Sequence, residues 1–442
     1  MFERKVYTQL LEWKQKYSKN YAVLLEGARR VGKSTIAKIF AEKEYKTYIF
    51  LDFSIVGQNI KDLFDNLDNM DFFFLMLQAY SNVTLYERES VIIFDEVQLF
   101  PKARQAIKHL VNDGRYDYIE TGSLISIKKN IKNILIPSEE MKISVYPLDY
   151  EEFLNATKLG DYTILEQIYK TNKSMGDAVN RKLMQSFRLY MAIGGMPQAV
   201  EAYINKKTFE EIDLIKKEII ALYMDDFKRI DASGRVAAIY NSIPAQLSSH
   251  KTRYSLSSAL NKKITKKDEE LLYELIDSKT VLMCNNVTEP SIALSLTKRF
   301  DSYKLYLSDI GLFTTMIFGK ETNSENIYMR IMSNKLDVNL GYVYENVIAQ
   351  MIKASGRELY FHTWNKINST HNYEIDFLIT KNSKVVPIEV KSGIVKTYHS
   401  LNAFCEKYSK IVGERYIISQ KDISNNEIIK ICPFYLFQCI IK

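Results

Sequence analysis

Leu24-Leu25-Glu26-Gly27-Ala28-Arg29-Arg30-Val31-Gly32-Lys33-Ser34-Thr35 closes an apolar run and opens an amphipathic one. Its core has the spacing Gly-x4-Gly-Lys-Ser, which spells a phosphate-binding loop between a strand and a helix. Gly27 and Gly32 let the backbone turn tightly, so that successive N–H groups face inward toward phosphate oxygens at the positive end of the following helix. Lys33 is placed to reach the β- and γ-phosphates, and the Ser34 hydroxyl to ligate Mg²⁺. Tyr21 to Glu26 reads as a buried strand, and Ile36, Ala37, Ile39 and Phe40 recur at helical spacing. The alternative, a glycine-rich turn that holds no ligand, does not account for the lysine and hydroxyl that follow it.

Further along, Val91-Ile92-Ile93-Phe94 is the kind of unbroken apolar run found in a central parallel strand, and it ends in Asp95-Glu96. Ligands of open α/β sheets bind at this carboxyl edge. Asp95 is therefore expected to hold Mg²⁺ through water and Glu96 to polarise the attacking water. Without the loop upstream, the same two acids would read as an ordinary solvated strand end. Tyr118-Ile119-Glu120 leads into Thr121-Gly122-Ser123, where either hydroxyl, Thr121 or Ser123, could watch the γ-phosphate; Ser123 is the candidate nucleotide contact.

Strand patterns near 21–26, 47–53, 91–95, 117–121 and 141–147 alternate with helical ones, which predicts a doubly wound parallel sheet over residues 1–148. From Pro147-Leu148-Asp149 helical patterning takes over and defines a segment 149–230, with Phe209, Ile212, Ile215, Ile219 and Leu222 on one face. Residues 231–300 carry short helices (236–247, 255–260, 268–277) followed by a strand-like 280–284, an order compatible with a winged helix. The last of these helices bears Asp268, Glu269, Glu270, Glu274 and Asp277. Those acids would repel a phosphate backbone and favour a packing role.

In the remaining part, 301–442, the runs 373–379 and 385–391 flank the turn-prone Lys381-Asn382-Ser383-Lys384. A two-residue loop at Asn382-Ser383 would set Asp376 opposite Glu389 and Glu374 opposite Lys391, with all four side chains on one face. Two facing carboxylates repel unless a divalent cation lies between them, and a neighbouring lysine could polarise a water. Glu345, on an adjacent helical run, is a candidate third carboxylate. A solvated hairpin with a Glu374–Lys391 ion pair and no chemistry is the competing reading of the same residues.

Composition narrows the function classes. The 442 residues exceed what a single core usually serves. Four cysteines, Cys284, Cys405, Cys432 and Cys439, lack CxxC spacing, as expected of thiols in a reducing, cytoplasmic setting. No apolar run approaches the eighteen or so residues of a membrane span, so no membrane partner is expected. A net charge of +7 permits contact with nucleic acid without requiring it.

The motifs occur together in a recognisable order: Gly27 to Thr35, Ile93-Phe94-Asp95-Glu96-Val97-Gln98, Thr121-Gly122-Ser123, Tyr146 to Phe153, Gly194-Gly195-Met196-Pro197 and Tyr306 to Leu312. Jointly they resemble the prokaryotic AAA-family ATPases that carry a C-terminal domain of unknown function ending in a PD-(D/E)XK nuclease-like module. The resemblance implies an AAA+ P-loop core (1–148), a helical lid (149–230), a winged-helix-like segment (231–300) and a restriction-endonuclease-like α/β module (301–442). It also implies nuclease-signature positions at Glu345, Asp376, Glu389 and Lys391. Pro197 is similar to the lid proline that closes on nucleotide in STAND-type ATPases, and a simple helix-breaking loop explains it equally well.

Two departures stand out. Ser138-Glu139-Glu140-Met141-Lys142 replaces the Gly-Arg pair that many relatives carry, so no arginine finger is assigned. Ile375 stands where the nuclease signature has proline. The expected activity is ATP binding and Mg²⁺-dependent hydrolysis driving a conformational switch, coupled to a nuclease-like domain that cuts or binds nucleic acid. The alternative is a signalling or scaffold ATPase whose inactive module binds a protein partner; self-association is a further candidate partnership.

Overall fold

A computed structural model describes residues 2–65, 67–122, 137–249, 252–318, 324–335, 340–366, 372–393, 398–425 and 429–442. The chain divides into two compact units, Phe2–Tyr146 with Asp277–Lys279, and Pro147–Ile276 with Thr280–Lys442.

In the first unit β1 (Ala22–Glu26), β2 (Thr47–Asp52), β3 (Ser90–Asp95), β4 (Asp117–Gly122) and β5 (Glu140–Ser144) form one sheet in the order 2-3-4-1-5. Every pairing is parallel, as the sequence predicts. β1, β3 and β4 are buried along their whole length. Such strands are covered on both faces, which is why residues 22–25 of β1 and 91–94 of β3 read as continuous apolar runs rather than alternating ones, while β4 buries Asp117 and Glu120 as well. Helix Lys33–Glu44 starts directly after the loop, and helix Pro101–Asp113 has proline in its first turn and Gly114 in the left-handed conformation at its end. Leu24, Phe53, Phe64, Phe73, Ile92 and Phe94 belong to one buried cluster. Burying each of these side chains contributes roughly 1.5–3 kcal/mol.

The second unit begins with helix Tyr150–Thr157, whose entry is fixed by a reciprocal capping box between Asp149 and Glu152. Helices Asp177–Ile193, Pro197–Ile204 and Phe209–Ile230 follow. Ile212 and Ile219 are buried as their spacing predicts. The same helix also buries Lys216, whose ammonium donates to Ala192 O (2.7 Å) and to the Tyr328 hydroxyl (2.6 Å).

Helices Arg235–Ser248, Leu256–Leu260 and Lys266–Asp277 precede β6 (Val281–Val287) and β7 (Lys298–Leu307). Of the acids on helix Lys266–Asp277, Asp268 is buried and ion-paired to Lys262 (2.8 Å) and Arg235 (3.1 Å), which makes it a packing group. The boundary expected at 300 falls inside β7. Moreover β6 pairs in parallel with β8 (Leu359–Asn365), so the β6–β7 hairpin extends the C-terminal sheet rather than closing a separate wing. That pairing joins Cys284 to Leu359 across a long stretch of chain, and local patterning carries no signal of it. β9 (Asn372–Lys381), β10 (Lys384–Lys391), β11 (Tyr416–Ser419), β12 (Ser424–Asn425) and β13 (Lys430–Pro433) complete a mixed sheet in the order 12-13-11-10-9-8-6-7.

Candidate functional site

Gly32 sits at φ 95°, a left-handed conformation that favours glycine, and immediately precedes helix Lys33–Glu44. It has no side chain with which to cap the helix. Ala28 and Val31 are buried and Arg30 is exposed with φ 69°. Lys33 is buried inside the loop, where its ammonium donates to the carbonyls of Gly27 (3.0 Å) and Ala28 (2.9 Å).

Across the sheet, β3 ends at Asp95, beside Asp52 of β2. The Ser34 hydroxyl donates to Asp95 Oδ1 at 2.6 Å, and the Thr121 hydroxyl donates to the same oxygen. Thr121 also accepts the Glu96 N–H at 3.4 Å. The loop hydroxyl, the strand-end carboxylate and the neighbouring strand's threonine thus meet at one point. Ser123 lies outside the described residues; Thr121, the other candidate, lies beside Asp95. Glu96 has φ 56°, uncommon for a residue with a side chain, and the Gln98 amide donates to its carboxylate. Gln98 was not singled out from sequence; its position two residues past the acidic pair is the only signal it gives.

Arg104 and Glu140 form a buried bidentate pair with both contacts at 2.7 Å. Glu140 lies in the segment Ser138 to Lys142, to which no arginine finger is assigned, and here it serves packing. Glu120 is fully buried next to that pair, and burial first, then the Glu140 charge, push its carboxyl well above the usual carboxylate range.

In the second unit the hairpin forms in the predicted register, Lys384↔Lys381 through Ile388↔Phe377. Asn382 and Ser383 supply the two left-handed residues of its turn (φ 50° and 56°). The next step brings Asp376 alongside β10, where its Oδ2 accepts the Val390 N–H at 2.7 Å. Lys391 pairs with Glu389 at 3.2 Å. The Glu374–Lys391 ion pair of the competing reading is not formed. Glu374 instead accepts from Lys304 of β7 at 2.5 Å, and Lys304 also lies 3.5 Å from Glu345. Glu345 accepts from the Tyr306 hydroxyl as well, at 3.2 Å.

Burial and the Glu345 charge raise Asp376, and burial pushes Glu389 up to about 7. Burial alone would lower Lys304; the charge of Glu374 and its neighbours outweighs it and holds the ammonium charged. Lys304 escaped the sequence reading because it lies in the otherwise apolar Tyr303-Lys304-Leu305-Tyr306. A lone lysine at the centre of a buried strand is the signal that was there to be used. Among the described residues, no group of three or more His, Cys, Asp or Glu side chains is arranged to hold a metal ion.

Pro197 opens helix Pro197–Ile204 in its first turn. The preceding Gly195 donates its N–H to Asp309 Oδ2 at 2.7 Å, which joins two of the sequence motifs inside the second unit.

Residues 19–154 match a family described as an AAA domain. The matched segment holds all five strands of the first sheet. Two further matches, over residues 184–323 and 340–437, are each to a domain of unknown function (DUF8612 and DUF4143). No curated protein matches the chain. Among solved structures, the Walker-type ATPase PABY2304 of Pyrococcus abyssi is similar at 17% identity, with a TM-score of 0.44 over 72% of this chain and 96% of that one. The RuvB Holliday junction branch migration motor of Thermotoga maritima is similar at 13% identity and a TM-score of 0.30, over 63% of this chain and 89% of that one. A STAND protein with a tetratricopeptide repeat sensor, PH0952 of Pyrococcus horikoshii, is similar at 11% identity and a TM-score of 0.28, over 79% and 48% of the respective chains. Among the described residues no helix is long and apolar enough to cross a membrane.

Proposed function

We propose that this chain is a Mg²⁺-dependent ATPase that works as a switch, its AAA domain relaying nucleotide state through residues 149–230, a lid carrying Pro197, to a C-terminal module that binds a partner. The observation that carries the first part is the 2.6 Å contact between Ser34 and Asp95, which brings two oxygen donors together beside a loop holding Lys33. Hard oxygen donors suit Mg²⁺. When bound, the ion would be held by Ser34 and, through water, by Asp95, and would neutralise charge on the β- and γ-oxygens. Residues Gly27 to Thr35 wrap the phosphates with backbone amides, and Lys33 exchanges its carbonyl partners for phosphate oxygens. Glu96 orients a water toward the γ-phosphorus; the bond to the bridging oxygen breaks, leaving ADP and phosphate. Thr121 keeps the Asp95 carboxylate aimed at the site.

For the output we favour binding over cutting, because Glu345 and Glu374 are occupied by Lys304. Cleavage of nucleic acid, with Asp376 and Glu389 on metal and Lys391 assisting the water, draws its support from the meeting of those three residues on one hairpin. Incubation with plasmid and short duplexes in Mg²⁺ or Mn²⁺, with and without ATP and beside Asp376→Ala, separates the two: cutting that depends on Asp376 removes the binding-only reading.

Titration with ATP tests the switch itself. Wild-type protein binds and Lys33→Ala does not, whereas Glu96→Gln keeps affinity and loses about 10²–10⁴-fold in turnover. Equal affinity in wild type and Lys33→Ala would end the proposal.

A further inference from the structure

We propose that Lys304 is the resident cation of the C-terminal acidic cluster, a positioning residue that withdraws Glu345 and Glu374 from metal coordination and keeps the module metal-free. The inference deepens the binding-only reading of that module and rests on it.

The nuclease resemblance implies a divalent ion held by Glu345, Asp376 and Glu389. The residues present do not fit one. Lys304 is buried and lies 2.5 Å from Glu374 and 3.5 Å from Glu345, and Glu345 takes a second donor, the Tyr306 hydroxyl, from the same face of the same strand. On the other side of the cluster, Asp376 is tied down by the Val390 amide and Glu389 by Lys391. Each of the four carboxylates therefore already has a donor from the protein. A cation entering among them would have to displace a buried, ion-paired ammonium whose strand is paired with β6 at Tyr303 to Leu307. A buried charge is tolerated where it is paired, and here a fixed ammonium supplies what a metal supplies elsewhere.

The origin of Lys304 strengthens the point. It comes from β7, outside the hairpin and helix that carry the acids, and it reaches them only because β6–β7 joins the C-terminal sheet through β8. The same junction that displaces the expected domain boundary thus delivers the lysine.

The test uses the full-length, nucleotide-free protein and Mn²⁺ itself, followed by the loss of the free-ion electron paramagnetic resonance signal. Wild type is expected to take up no Mn²⁺ that depends on Asp376. Lys304→Met is expected to gain a stoichiometric Mn²⁺ site that Asp376→Asn abolishes. Should Lys304→Met alone fail to fold, Lys304→Met/Glu374→Gln removes one charge of each sign, and it too is expected to gain the site. A wild-type Mn²⁺ site lost in Asp376→Asn overturns the proposal whatever the variants do, and so do folded lysine variants that take up no Mn²⁺. ATP affinity, scored separately with Lys33→Ala, keeps a failure of the ATPase reading distinct from a failure of this one.

Discussion

Asp95 accepts from two hydroxyls that belong to different elements, Ser34 of the loop helix and Thr121 of β4, so its position is set before any ligand arrives. Preorganisation of this kind is what a phosphoryl-transfer site needs, since most of its work is positioning and charge stabilisation. Close by, Glu120 is a side chain whose burial has a measurable consequence. Its carboxyl is held well above the usual range, so the folded chain retains a proton that the unfolded chain releases. With the folded value raised, the stabilising contribution is complete below the unfolded value and drains away as pH rises through the folded one. Wild type should therefore lose stability relative to Glu120→Gln as pH increases above the ordinary carboxylate range, with a slope of at most about 1.4 kcal/mol per pH unit. Thermal unfolding of both proteins at several pH values checks this. A constant difference in midpoint would show that Glu120 does not titrate in the way its burial demands.

At the scale of elements, what could be read from sequence was whatever is written locally. The central strands β1 and β3 announce themselves because each is a short apolar run buried on both faces. The C-terminal hairpin also came out in register, because Asn382-Ser383 admits one two-residue turn and the period of two does the rest. The P-loop residues and the acidic pair were legible for the same reason. Lys304, the pairing of β6 with β8 and the Arg104–Glu140 bond were not, since each joins stretches that lie far apart in the chain. Gly194-Gly195 and Gly311 show how close such junctions come. A Cβ on Gly195 would lie 2.0 Å from Leu148 O, and one on Gly311 2.2 Å from Ile193 O. The obstacle in both cases is backbone, which cannot step aside as a side chain can. Gly195→Ala should accordingly destabilise the second unit by several kcal/mol, at the overpacking end of the range of about 1–3 kcal/mol or beyond it, read as a lowered denaturant midpoint. An unchanged midpoint would mean that the Leu148–Gly195 contact yields far more easily than its geometry implies.

For the whole molecule, two units with separate sheets make a single unfolding free energy ill-defined, and that separation can be exploited. A ligand stabilises only what it binds. Mg·ATP at a hundred times its dissociation constant should raise the stability of the first unit by about 2.7 kcal/mol. If the chain merely carried an ATPase and an independent binding module, the second unit would not respond. A switch requires more: the second unit must distinguish nucleotide states, by a coupling free energy that typically amounts to about 1–3 kcal/mol. Hydrogen exchange in Glu96→Gln, the variant expected to keep ATP affinity while losing about 10²–10⁴-fold in turnover, resolves the two cases. Protection should rise around residues 27–35 and 91–97 and, by a smaller amount, in the β9–β10 hairpin, and Lys33→Ala should erase both changes. Protection confined to the first unit would leave ATP binding intact and remove the relay, because a partner-binding module indifferent to nucleotide is not the output of a switch.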